Sequence, residues 1–112
     1  MIEQKDLLLV PFPFSDQSGK KVRPVVVISN NEFNKKSDDL IVLGLTSNIS
    51  KDQYTISLEN TNLDEGKLFT KCSIKIENIL KLDKDLIIKK IGKINQETLM
   101  NTLNKLHTIL AY

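Results

Sequence analysis

The chain has 112 residues, 40% of them apolar and 27% charged, with a formal net charge of +2. That supports one domain, 1–112, with a modest core, and a balance too even to demand nucleic acid, membrane or any acidic partner on charge alone. Cys72 is the only cysteine and His107 the only histidine, which excludes an internal disulfide and leaves a histidine-pair mechanism nothing to work with. No Cys/His cluster has metal-ligand spacing, so neither a metal nor another cofactor is expected.

In chain order, Leu7–Val10 reads as a short apolar strand, closed by Pro11-Phe-Pro-Phe14, where alternate prolines cannot donate to a ladder. Ser15–Lys21 is a polar loop, and Pro24–Ile28 a second strand with proline as its first residue. Asn30–Asp39 is polar, with one helical turn around Phe33. Leu40–Leu45 is a third strand, closed by Thr46-Ser47-Asn48. Such unbroken apolar runs predict strands covered on both faces. Tyr54–Leu58 alternates and predicts a strand with one wet face, and Asn60–Lys67 is rich in turn residues. Cys72, Ile74 and Ile76 alternate with Ser73, Lys75 and Glu77. The apolar set should point inward, making Cys72 a small buried hydrophobe, with Lys75 and Glu77 on the outer face about 7 Å apart.

Ile79–Leu82 and Ile87–Ile94 read as two further strands separated by Asp83-Lys84-Asp85. Asn95 suits a helix N-cap, with Glu97 in the first turn. Leu99, Leu103, Leu106 and Leu110 then form the stripe of an amphipathic helix, and His107 beside it takes a structural or surface role. Six to seven short strands and one closing helix predict a small, strongly bent β-barrel with the helix packed on it. No run approaches the roughly 20 apolar residues of a membrane span, and the N-terminus lacks a leader pattern, so a soluble, cytoplasmic protein is expected.

Arg23 is the only arginine among many lysines. A lysine is a compact point charge, whereas a guanidinium is a planar fork that grips two phosphate oxygens together. Pro24 holds the residue before it in extended backbone, so this fork sits at the root of a strand with few directions open to it. Read from the residues alone, Arg23 is either that phosphate grip or an ordinary surface ion-pair partner.

Taken together, Pro11-Phe-Pro-Phe-Ser-Asp16, Lys21-Val-Arg-Pro-Val-Val-Val-Ile-Ser29 and a third strand ending in Thr46-Ser47 resemble the MazF/PemK toxins of bacterial toxin–antitoxin systems. The resemblance continues through Lys75-Ile-Glu77, Leu80-Lys-Leu-Asp83, Ile91-Gly-Lys-Ile94 and the last helix, and so spans nearly the whole chain. It implies an SH3-like barrel of the kind shared by MazF, PemK and CcdB, a homodimer, and an antitoxin partner. It also implies metal-independent cleavage of single-stranded RNA, usually messenger RNA, by the ribose 2′-hydroxyl, leaving a 2′,3′-cyclic phosphate and a 5′-hydroxyl. By position, Arg23 matches the arginine that faces the scissile phosphate, and Thr46 a threonine sharing the site. Glu77 matches an acidic residue proposed as general base, and Lys75 stands where some members have a second arginine. Two departures stand out: the loop Ser15–Val22 carries no histidine, and position 75 offers no bidentate fork.

The chemistry needs proton removal from the 2′-hydroxyl, charge stabilisation at phosphorus and protonation of the leaving oxygen. A guanidinium holds its protons tightly, so Arg23 suits electrostatic clamping rather than proton donation. Thr46 can hold a phosphate oxygen or simply finish a strand. Glu77 can accept the 2′-hydroxyl proton or simply neutralise Lys75. Lys20, Lys21, Ser47 and Lys75 are the expected RNA contacts, and Phe12, Phe14 and Phe69 are either stacking platforms or core. The antitoxin would be an acidic, partly disordered segment lying across the basic site. Two rivals remain: a gyrase-inhibiting toxin of the same fold, and a non-catalytic SH3-like binding module.

Overall fold

A computed structural model describes residues 1–11, 21–48, 53–68 and 70–112. Phe12, Phe14, Lys20 and Phe69, expected above to contact RNA or the core, lie outside these residues. Seven strands form one antiparallel sheet: β1 (Asp6–Pro11), β2 (Val22–Val27), β3 (Asp39–Thr46), β4 (Thr55–Leu58), β5 (Leu63–Gly66), β6 (Cys72–Asp83) and β7 (Lys89–Ile94). Their spatial order is β4-β6-β3-β2-β1-β7-β5. The short helix α1 (Asn31–Lys36) joins β2 to β3, and α2 (Gln96–Leu110) follows β7. The sheet curls, and this mainly β architecture with a C-terminal helix is the expected barrel class.

The apolar runs of the three central strands divide between two cores, because successive side chains of a strand point to opposite faces. Leu7, Val26, Leu43 and Leu45 join Ile74, Ile76, Ile94 and Leu99 in one core. Leu8, Val10, Val25, Val27, Leu40 and Val42 join Leu82 in the other. These strands are therefore covered on both faces, as their sequence predicts.

β2 begins earlier than expected. Val22 and Arg23 already pair with Pro11 and Val10 of β1, so Pro24 is the third strand residue rather than the first. β3 takes up pairing with β2 only from Val25, so the proline lies ahead of the three-stranded part of the ladder.

The two expected strands, the alternating Cys72–Glu77 and Ile79–Leu82, are one strand of 12 residues, β6. The alternation of apolar residues fails at Asn78, but the sheet absorbs it as an irregularity. Leu43 lies opposite Ile79 and Leu45 opposite Ile74, so two steps along β3 correspond to five along β6. The Asn78 side chain folds over Gly44, where a β-carbon would run into the asparagine amide.

β5 is a strand that the turn-rich reading of Asn60–Lys67 misses. Only Asn60–Asn62 is a 3-10 turn. Leu63–Gly66 then pairs with β7, an edge strand whose Leu-Asp-Glu-Gly sequence has no apolar alternation to announce it.

In α2, Asn95 caps the helix as expected, its side chain accepting from Thr98 N at 2.8 Å. The inward face differs by one position. Leu99, Leu103, Leu106 and Ile109 pack on the core, whereas Leu110 is 65% exposed. At 3.6 residues per turn Leu110 still falls on the stripe, about 40° around from Leu106 against about 60° for Ile109, but it is the last residue of α2 and its side chain stands in solvent. Ile109→Ala should therefore cost about 1–2 kcal/mol, below a fully buried truncation, and Leu110→Ala less than about 0.5 kcal/mol. Urea unfolding of the two variants checks the difference.

A charge ladder ties the N-terminus to β7 and β5. Asp6 is fully buried and lies 3.2 Å from Lys90 Nζ, while Lys93 Nζ donates to Glu3 Oε1 at 2.9 Å. The hydrogen bond from Lys93 holds the Glu3 carboxyl below its ordinary 4.5, and the same bond raises Lys93 above its ordinary 10.5. The two shifts act at opposite ends of the pH scale. The Glu3 contribution is complete above pH 4.5 and is lost as pH falls through the lowered value. The Lys93 contribution is complete below pH 10.5 and is lost as pH rises through the raised one. Lys93→Met should flatten both limbs of a plot of urea midpoint against pH.

Candidate active site

Arg23 stands where two hollows meet. The larger is a groove of about 530 Å³ with an apolar floor of Leu9, Leu45, Leu68, Cys72 and Ile91. Its rim carries Lys21, Arg23, Ser47, Lys67, Thr70 and Lys89. The smaller, about 180 Å³, is lined by Arg23, Thr46, Lys75 and Asn78, with Gly44 and Leu80 beneath. Arg23, Pro24 and Leu45 belong to both.

The strand register explains why Arg23 and Thr46 share a hollow. β2 and β3 pair through Val25↔Gly44 and Val26↔Leu43. Carried two residues further, that register puts Arg23 across from Thr46, beyond the last pairing, where the strand ends part and leave the small hollow between them. Arg23 is half-buried there. Thr46 Oγ1 accepts from Asn48 N at 3.1 Å, a local turn that fixes the hydroxyl at the strand's tip.

The other expected residues distribute around this point. Lys21 and Ser47 line the large groove and Lys75 the small hollow. Glu77 lines neither; its carboxylate lies 3.9 Å from Lys75 Nζ, both side chains being about half exposed. Cys72 is buried in the groove floor, and that burial pushes its thiol up, away from the reactive thiolate form. Among the described residues, no group of three or more His, Cys, Asp or Glu side chains is placed to hold a metal ion. No helix among them is long and apolar enough to cross a membrane.

The sequence pattern of the family described as "PemK-like, MazF-like toxin of type II toxin-antitoxin system" matches residues 3–110. The chain belongs to this toxin family. Among similar curated toxins, the endoribonuclease MazF of Staphylococcus saprophyticus is 31% identical over 110 residues, covering 93% of this chain and 89% of the relative. The endoribonuclease MazF of Staphylococcus epidermidis is 32% identical over 114 residues, covering 99% and 92%. Among solved structures, MazF from Deinococcus radiodurans superposes with a TM-score of 0.78 at 15% identity, covering 99% of this chain and 97% of that one. A mycobacterial endoribonuclease in complex with its cognate antitoxin gives 0.77 at 19% identity, covering 98% and 95%. These two likenesses show that the toxin fold is shared.

Sequence reasoning missed three polar residues that line these hollows. Lys67 and Lys89 complete the basic rim, and Asn78 enters the small hollow beside Thr46. Lys89 sits opposite Leu9 at the start of β7, and Lys67 follows the left-handed Gly66 at the end of β5. Only the pairing of β7 with both β1 and β5 brings these lysines to Arg23. The one signal in the sequence was Gly66, a residue suited to a sharp turn.

Proposed function

We propose that the toxin cleaves single-stranded RNA, messenger RNA above all, at the junction of the two hollows. The chain is the toxin component of a type II toxin–antitoxin system, with the endoribonuclease activity of that family. What supports this site is one observation: Arg23 and Thr46 face the same small hollow, and Arg23 also faces a lysine-rimmed groove.

The RNA backbone lies along the groove, its phosphates held by Lys21, Lys67 and Lys89, with Ser47 at the rim and Lys75 in the hollow. The scissile phosphate enters between Arg23 and Thr46. The ribose 2′-oxygen attacks phosphorus, its proton passing through a bridging water to Glu77 outside the hollows, and the bond from phosphorus to the 5′-oxygen breaks as that oxygen takes a proton from solvent water. Arg23 supplies the largest share of the catalysis by meeting the charge that builds on the two non-bridging oxygens, with preorganised donors in a half-buried setting. The Thr46 hydroxyl donates to one of them. The products are a 2′,3′-cyclic phosphate and a 5′-hydroxyl. No metal is required, since the charge is met by Arg23, Thr46 and Lys75.

A defined RNA incubated with the pure protein in excess chelator, followed by end-group analysis, tests this. Cyclic phosphate and 5′-hydroxyl ends are expected; intact RNA, or 5′-phosphate ends, would overturn it. Glu77→Gln should slow cleavage about 10²-fold if the carboxylate takes the proton, the lower end for general-base loss. A near-normal rate would leave Glu77 with its Lys75 pairing alone.

The same groove suits the antitoxin: an acidic, partly disordered segment placing apolar side chains on the floor and carboxylates against the lysine rim. The working form is a cytoplasmic homodimer, which sedimentation of the free toxin checks.

A further inference from the structure

We propose that Ser73 is a positioning residue that aims the Thr46 hydroxyl at the scissile phosphate, an inference that rests on the role given to Thr46 above. Ser73 is the second residue of β6 and only 1% exposed. Its Oγ has no hydrogen-bond partner among the described residues. A buried hydroxyl without a partner costs a fold stability, and serine is readily replaced by alanine of nearly the same shape, so its presence calls for another reason.

The register supplies one. Ser73 lies directly opposite Thr46 on β3 and opposite Ser57 on β4. Residues facing each other across an antiparallel pair project from the same face, with β-carbons about 4.5–5.5 Å apart. The neighbouring pair Leu45 and Ile74 points into the core, which puts Thr46 and Ser73 together on the other face. A turn about χ1 then brings the two hydroxyls within hydrogen-bond reach.

A hydroxyl has one proton and two acceptor positions. The amide of Asn48 occupies one acceptor position of Thr46. If Ser73 donates to the second, the Thr46 proton is left to point into the small hollow, toward a phosphate oxygen. Lys75, two residues further along β6, enters the same hollow. Ser57 is exposed and lines neither hollow, which makes it the control.

The test measures kcat and KM on a defined RNA, with melting temperatures, for wild type, Ser73→Ala, Ser73→Cys, Thr46→Val, Ser57→Ala and the Ser73→Ala/Thr46→Val double variant. Ser73→Ala should melt at or above wild type while its kcat falls about tenfold, the worth of one ordinary hydrogen bond, with KM little changed. Ser73→Cys keeps the shape with a weaker donor and should fall between. The double variant should be no slower than Thr46→Val, and Ser57→Ala should match wild type. Wild-type kcat in Ser73→Ala overturns the inference alone. So does a further tenfold loss when Ser73→Ala is added to Thr46→Val, or a fall in rate that only tracks a fall in melting temperature. A Thr46→Val protein that cleaves normally overturns the role of Thr46, and the inference with it.

Discussion

Replacing Arg23 with alanine should lower kcat for RNA cleavage by about 10²–10³ while leaving the fold intact, the usual loss when one preorganised donor to a developing oxyanion is removed. The side chain is half-buried at the junction of two hollows rather than inside either core, so its removal opens no cavity. Arg23→Lys separates charge from geometry. Lysine keeps the positive charge but offers a point rather than a fork, so it should recover only part of the rate. Full activity in Arg23→Lys would reduce the residue to a counter-charge. Full activity in Arg23→Ala would move the chemistry elsewhere in the molecule.

Gly66→Val should cost stability instead, by about 2–4 kcal/mol, and should raise KM more than it lowers kcat. Gly66 has φ +83°, a region that costs other residues roughly 1–2 kcal/mol on its own. A β-carbon there would also run into the carbonyl oxygen of Ile91 and lie 2.6 Å from the Gly92 α-carbon, and backbone of a paired strand cannot swing aside. The edge strand β5 would have to lift from β7. Lys67 and Leu68 follow it directly and form one wall of the large groove, so the RNA would lose contacts that bind rather than react. Urea unfolding reads the first effect and steady-state kinetics the second. A variant as stable as wild type would show that the β5–β7 crossing carries no constraint.

These contrasting outcomes follow how the site is distributed along the chain. The meeting of Arg23 and Thr46, on which the proposed chemistry rests, was legible because it is local: Arg-Pro at the root of one apolar run and Thr-Ser at the tip of the next announce two strand ends, and the resemblance to toxins joined them. The binding side was not legible. Leu63–Gly66 carries no alternation, so β5 read as turn, and without β5 nothing placed Lys67 near Arg23. β6 read as two strands because the alternation fails at Asn78, whereas Gly44 on the partner strand lets Asn78 fold over it and the ladder resume. Spacing alone put Leu110 on the stripe, and it could not show that the helix ends at that residue with its side chain in solvent.

The double coverage of β2 and β3 also bears on how such a toxin changes over generations. A strand pressed from above and below has almost no silent positions, so substitutions there are purged for stability before they are ever tested for activity. The segments at liberty to drift are those bordering the groove, around Lys21, Ser47 and Lys67. On the mechanism proposed above, exchanges in those segments should change which RNA is held while Arg23 and Thr46 keep their places at the strand ends.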